Sequence, residues 1–292
     1  MWMENLKCGN NMKKSKETSE ITELWHYTSV DTVFQIIMGG SLLLSSIEKT
    51  KDKEEFKYVF KSYKKQCKTN NNTIDYFQNE EEDTKIMQFL SLSCAKDSAS
   101  MWYKYGFKGA AIVFDKTKLE EYIKRFKFTS LKEGIPNVTQ AISLKRTNYN
   151  LEERFEEMQS RKKDIETEDS YNTFSELEKE AHLFKRSKYE SEEEFRIMLI
   201  ADKDGREGQN NITYRDKCYL TNLLEFNNNA SKLAKIDRIK IPLDLSIIKS
   251  VVLAPNSGFI IGINECCVDV VDRNKKICKI PITKSKLKDF YI

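Results

Sequence analysis

Trp25-His26-Tyr27-Thr28-Ser29 opens the first regular structure of the chain. Leu24 to Thr28 reads as a short strand. Ser29 stands where a helix N-cap belongs, and Asp31 places a negative charge in the first turn, where the helix dipole favours it. Val30, Val33, Phe34 and Ile37 keep the helical period, and Gly39-Gly40 ends it. Ser41-Leu42-Leu43-Leu44-Ser45 then fits a buried strand. His26, one of two histidines, therefore lies just before a helix N-terminus, whose free backbone N–H groups can receive an anion. An aromatic, a histidine and two hydroxyls within five residues suit a small polar ligand held against a ring. The same residues also suit an ordinary strand end.

Working outward, Asp52 to Gln66 has an apolar stripe of Phe56, Val59, Phe60 and Tyr63 and predicts an amphipathic helix, followed by a loop over Thr69 to Asp83. Ile86 to Cys94 alternates as a strand, with Ser91 and Ser93 as neighbours on one face. Asp97 or Ser98 can cap a helix that carries Met101, Trp102 and Tyr105 and stops at Gly106. Gly109 to Asp115 reads as a buried strand and Lys116 to Lys127 as an amphipathic helix. Leu151 to Phe184 is heavily charged and predicts two helices with solvated faces. Glu192 to Ala201 is a strand placing Glu192, Glu194, Arg196 and Met198 on one face, an acidic and basic pattern that a core strand does not need. Further strands are expected at 212–214, 217–220, 236–241, 249–254 and 277–282, while Phe259 to Val270 fits either strand or helix. Short strands with irregularly placed helices indicate an α+β fold. No Gly-rich phosphate loop follows a strand, which argues against a doubly wound sheet. The expected organisation is a polar lead-in over residues 1–20 and one α+β domain over 21–292, with a charged helical insertion at about 151–185.

Of 292 residues, 32% are charged and 39% hydrophobic, the balance of a soluble globular chain long enough to bury a sizeable core. The net charge of +4, from 49 basic and 45 acidic residues, does not by itself point to nucleic acid. Seven scattered cysteines without a Cys-x-x-Cys pair favour reduced thiols in a cytoplasm over a disulfide framework. Neither His26 nor His182 has partners at zinc-ligand spacing, so no metal is expected. No apolar run approaches a membrane span, and the N-terminus lacks the apolar core of a signal peptide.

Two constellations carry chemistry. His26 with Ser91, Ser93 or Cys94 brings together the types needed for nucleophilic catalysis, but no nucleophile elbow or third member accompanies them. Glu192 and Glu194 form a carboxylate pair in which one member can be raised in pKa to serve as an acid or base, or which Arg196 can simply neutralise at a solvent-facing edge.

Taken in order, Trp25-His26-Tyr27-Thr28-Ser29, Ser91-Leu92-Ser93-Cys94, Met101-Trp102-x-x-Tyr105, Gly109 to Asp115 and Glu192-x-Glu194-Phe195-Arg196 resemble a widespread bacterial domain-of-unknown-function family. The resemblance covers roughly Leu24 to Ile200. Lys51-Asp52-Lys53-Glu54-Glu55 keeps only Asp52 and Glu55 of that family's Asn-Asp-Pro-x-Glu patch, and Phe195 stands for its tryptophan. The order is also remotely similar to the ADP-ribosyltransferase superfamily, including its DNA-modifying toxins. That similarity implies a split, mainly antiparallel sheet gripping NAD as substrate, with peripheral helices. It implies catalytic roles for Glu194, His26 and Glu192. It also implies ligand contacts from Tyr27, Thr28, Ser29, Ser91, Ser93, Trp102, Tyr105 and Arg196, with Tyr105 or Trp102 stacking on nicotinamide and Arg196 meeting pyrophosphate. The implied protein is an NAD-dependent ADP-ribosyltransferase-like toxin or phage-defence effector with an acceptor that is protein, DNA, RNA or water. The alternative is a nucleotide-binding or regulatory module that keeps the pocket without the chemistry.

Overall fold

A computed structural model describes residues 20–46, 58–59, 61–62, 85–132, 135–140, 142–162, 181–202, 211–214, 217–220, 238–257, 265–272 and 275–287. Most of the helix expected over Asp52 to Gln66, the loop over Thr69 to Asp83 and residues 163–180 of the charged stretch lie outside these.

The strands and helices around the first motif are β1 (Glu23–Thr28), α1 (Val30–Gly39) and β2 (Ser41–Ser46). Ser29 caps α1 by accepting from the Thr32 N–H, and Gly40 closes it in the left-handed conformation at φ 50°, which glycine adopts without a Cβ clash. Next come β3 (Lys85–Ser93), α2 (Ala99–Tyr105), β4 (Ala110–Asp115) and α3 (Lys116–Ile123). Helix α3 ends four residues short of Lys127, because Phe126 already begins β5 (Phe126–Lys132). This strand, β6 (Ile135–Gln140) and β7 (Ile142–Arg146) fill a region for which no strand was expected. The chain continues with α4 (Leu151–Lys162), short 3₁₀ turns at Ala181–Leu183 and Ser187–Glu192, and β8 (Glu194–Asp202). It closes with β9 (Asn211–Tyr214), β10 (Lys217–Leu220), β11 (Arg238–Pro242), β12 (Ile248–Leu253), β13 (Glu265–Val271) and β14 (Ile277–Lys284).

Ten strands form one sheet along the path β11-β2-β3-β1-β4-β12-β14-β13, with β8 also on β3 and β7 on β8. All neighbours are antiparallel except β12 and β14. A second sheet has the order β10-β9-β5-β6. The fold is therefore α+β with a mostly antiparallel open sheet.

Strand β3 decides the geometry. A strand has two edges, and β8 pairs with β3 along all of one, from Lys85↔Asp202 to Ser93↔Glu194. Two strands share the other edge: β2 meets it at Gln88 and Phe89, and β1 meets it at Ser93. The sheet consequently parts between β1 and β2. On the β1 side it is held by a dense core, since every residue from Ala110 to Phe114 is buried and β4 is covered on both faces. Leu24, Ile112, Phe114 and Leu119 join the main core, whereas Trp25, Tyr27, Ala111, Val113, Met101 and Trp102 form the cluster that seats α2. Gly109 is required where β4 begins: a Cβ there would lie 2.0 Å from the Thr28 carbonyl oxygen.

Candidate functional site

The site grows from the parting of the sheet. After Trp25↔Ser93 the ladder between β1 and β3 stops, and the next residue, His26, places its Nδ1 3.1 Å from the Ser91 carbonyl oxygen. Nδ1–H is the donor in this bond, so Nε2 is left as an acceptor. Burial pushes the His26 pKa down against the opposing effect of that hydrogen bond, which keeps the ring neutral at pH 7. The Ser91 hydroxyl donates to Glu194 Oε1 at 2.5 Å. Ser91 thus links the two residues, its carbonyl holding His26 and its hydroxyl holding Glu194.

Glu194, the first residue of β8, is only 3% exposed, and an unpaired carboxylate there would be costly. It is well provided with donors. Arg196, two residues on and so on the same face, donates from Nε to Oε1 at 3.0 Å and from Nη2 to Oε2 at 3.2 Å. Lys185 Nζ lies 2.8 Å from Oε2. Burial alone would raise the carboxyl pKa, but the Arg196 guanidinium and Lys185 ammonium outweigh it and hold it at about 2. The Tyr149 hydroxyl accepts from the Glu194 N–H at 2.8 Å, and burial raises the Tyr149 pKa to about 12.

Glu192 belongs to the same cluster but not to the strand. It ends the 3₁₀ turn Ser187–Glu192, and Glu193 then turns the chain through the left-handed region at φ 42° before β8 begins. The expected strand register from Glu192 to Met198 is corrected accordingly: the local bend, and not strand alternation, brings Glu192 beside Glu194. Glu192 Oε1 accepts from the Tyr105 hydroxyl at 2.9 Å and from Lys104 Nζ at 3.2 Å, and its Oε2 lies 2.8 Å from Lys185 Nζ. Burial, reinforced by the nearby Glu192 charge, pushes the Tyr105 pKa up, so its phenol stays a donor.

The structure sorts the sequence-derived residues. His26, Ser91, Glu194, Glu192, Arg196 and Tyr105 join one hydrogen-bonded system. Ser93 borders it: its hydroxyl donates to the Glu192 carbonyl at 2.6 Å and accepts from the Ala95 N–H at 3.0 Å. Ser29 is committed to capping α1, and the Thr28 carbonyl faces Gly109. Tyr27 and Trp102 are corrected to core residues. Tyr27 packs on Trp25 and edge-on to Trp102, and its hydroxyl donates to the Ala95 carbonyl and accepts from the Ser98 N–H. Trp102 is 1% exposed, so it has no face for a ligand; its Nε1 donates to Asp97 at 2.7 Å. Tyr105, at 40% exposure, keeps the open ring. Asp97 and Ser98 divide the expected capping role: Ser98 takes the N-cap position without a side-chain capping bond, while Asp97 accepts from Trp102, Ser285 and the Lys286 N–H.

Sequence reasoning missed Lys185, Tyr149 and Lys104. Lys185 sat at the end of a stretch read as solvated and is instead 7% exposed between two carboxylates. Its one signal was its position seven and nine residues before Glu192 and Glu194. No group of three or more potential metal ligands occurs among the described residues, and none of their helices is long and apolar enough to cross a membrane.

Residues 101–197 match the family described as Protein of unknown function (DUF2971). The matched span contains Lys104, Tyr105, Tyr149, Lys185, Glu192, Glu194 and Arg196, while His26 and Ser91 enter the site from before it. No curated protein and no solved structure matches the chain.

Proposed function

We propose that this protein is an NAD-dependent ADP-ribosyltransferase-like enzyme with its site where β1 and β2 part along the edge of β3. The observation that carries the reading is the link His26–Ser91–Glu194, assembled from three strands at the place where the sheet opens. In the reaction, the bond between nicotinamide nitrogen and ribose C1′ breaks and its electron pair leaves on neutral nicotinamide. The acceptor's lone pair forms the new bond to C1′, and the acceptor's proton passes to solvent or a nearby base. Positive charge develops on the ribose as the first bond breaks. A carboxylate held at a pKa of about 2 is always ionised near neutrality, so Glu194 suits electrostatic stabilisation of that charge and is too weak a base for proton abstraction. Neutral His26 offers Nε2 to a ribose hydroxyl, and the exposed ring of Tyr105 offers a stacking face. A role as a toxin or phage-defence effector in a bacterial cytoplasm extends this reading on the family resemblance.

Incubation with labelled NAD, with and without cell lysate, tests it. Release of nicotinamide is expected, with label on an acceptor or on free ADP-ribose, and with a loss of about 100-fold or more in Glu194→Gln. Ser91→Ala, at an exposed position, provides a second variant with little risk to folding. Intact NAD in every sample, together with no saturable NAD binding, would rule the proposal out.

The burial of Glu194 favours one second reading. Its oxygens already serve Ser91, Arg196 and Lys185, an arrangement that also suits a nucleotide-binding or regulatory module without turnover. Calorimetry separates the two, because such a module gives saturable heat with NAD while the nucleotide is recovered intact.

A further inference from the structure

Lys185 meets no part of the substrate in the reading above, yet it holds the centre of the cluster. Its Nζ lies 2.8 Å from Glu192 Oε2 and 2.8 Å from Glu194 Oε2. Other cations approach one carboxylate each: Lys104, on α2, reaches Glu192, and Arg196, on β8, reaches Glu194. Lys185 reaches both. The ammonium is itself fixed in place. Its backbone N–H donates to the Asn148 carbonyl at 2.9 Å, and Nζ stands 5.0 Å from the centre of the Tyr189 ring.

Two buried carboxylates this close repel one another, and one of such a pair takes up a proton unless a cation offsets the repulsion. We propose that Lys185 is the positioning residue of this site, joining Glu192 and Glu194 into one unit of fixed geometry and charge. This rests on the ADP-ribosyl reading for its catalytic meaning: a ribosyl cation is stabilised by an anion and not by a protonated acid. Besides Lys185, the groups facing the pair among the described residues are Arg196 on the strand of Glu194, Lys104 and Tyr105 from α2, Ser91 from β3 and Tyr149 from the segment after β7. Of these, the two tyrosines stay protonated and Arg196 stays charged throughout the range that matters, so they do not titrate in competition.

The test follows the Glu194 carboxyl by carbon NMR in protein with labelled glutamate, the signal being assigned by its absence in Glu194→Gln. In the unsubstituted protein Glu194 is expected to stay ionised below pH 3. Titration in the ordinary range near pH 4 would overturn the proposal without any variant. In Lys185→Met and Lys185→Gln, whose folding is checked by circular dichroism, the titration is expected to move up by about two pH units or more. NAD turnover in these variants should then gain an acid limb and recover as pH rises. An unmoved titration, or a loss of turnover equal at every pH, overturns the role of Lys185. The carbon signal does not depend on turnover. A shifted titration in a protein that leaves NAD intact would sink the ADP-ribosyl reading alone, and active protein with an unmoved titration would sink this one alone.

Discussion

Glu194 is where the strongest single-residue consequences lie. Replacing it with glutamine leaves Lys185 and Arg196 buried with one charge fewer between them. Breaking a buried pair in this way costs roughly 3 to 5 kcal/mol, because Arg196 stays desolvated without its carboxylate and Lys185 keeps only Glu192. Urea unfolding at neutral pH should show a fall in stability of that size. The pH dependence has a definite sign. The folded-state pKa of about 2 lies below the ordinary carboxyl value of 4.5, so the folded state binds this proton less readily than the unfolded chain. The stabilisation is complete above about pH 4.5 and is lost as pH falls through 2. Unfolding at a series of pH values should therefore show a slope between these limits that is shallower in Glu194→Gln; equal slopes would contradict the assignment. His26 has the same sign by a different route. Its pKa is depressed, chiefly by burial, so protonating it in acid also opposes folding, and His26→Asn should remove that part of the acid sensitivity.

At the scale of elements, the placement of α2 matters most, because it delivers Tyr105 and Lys104 to Glu192. The helix is only seven residues long, too short to be stable alone. It is seated by Met101 and Trp102 in the core and tied by Asp97, which binds the Trp102 indole, the Ser285 hydroxyl and the Lys286 N–H. Asp97→Ala removes three donors' partner at once. A loss of about 3 kcal/mol is expected, on the scale of hydrogen bonds to charged groups, together with weaker ligand binding through a displaced Tyr105. Thermal unfolding and NAD titration measure the two effects; weakened stability with unchanged binding would show that Tyr105 does not contact the ligand. Gly109→Ala acts on the other side of the site. Its added methyl would meet the Thr28 carbonyl at 2.0 Å, so β1 and β4 must separate and carry His26 with them. Overpacking of this kind costs about 1 to 3 kcal/mol or more.

For the molecule as a whole, the charged cluster of Lys185, Glu192, Glu194 and Arg196 is local in sequence, but the His26–Ser91–Glu194 link is not. The His26–Ser91 contact spans 65 residues and the Ser91–Glu194 contact spans 103. That link therefore exists only once β1, β3 and β8 are in register, and its loop-closure entropy is repaid by the core that covers them. A fragment limited to the matched residues 101–197 lacks β1, β2 and β3 and the strand β12 that lies against β4. Such a fragment is expected to show little ordered structure by circular dichroism and no NAD binding. A folded, binding fragment would mean that the parted sheet is not what builds the site.

The sequence by itself determined the elements whose signals are local. Ser29 as a cap, Gly40 as a stop, the unbroken apolar run of β4 and the alternation of β3 each follow from a few adjacent residues, and each took its expected form. The same alternation correctly set Ser91 beside Ser93 and Glu194 beside Arg196. What the sequence missed depended on packing and pairing that adjacent residues do not show. Strands β5 and β7 alternate only briefly, at Phe126-Lys127-Phe128 and Ile142-Ser143-Leu144, and their extent is fixed by pairing. Trp102 and Tyr27 carry the chemistry of a binding face, and only packing shows that their rings are spent on the core. Lys185 carries the composition of a solvated surface, and only the tertiary structure buries it. An ammonium is placed inside by the two carboxylates it must reach, and that requirement is visible only after β8 and the turn before it have brought Glu194 and Glu192 together.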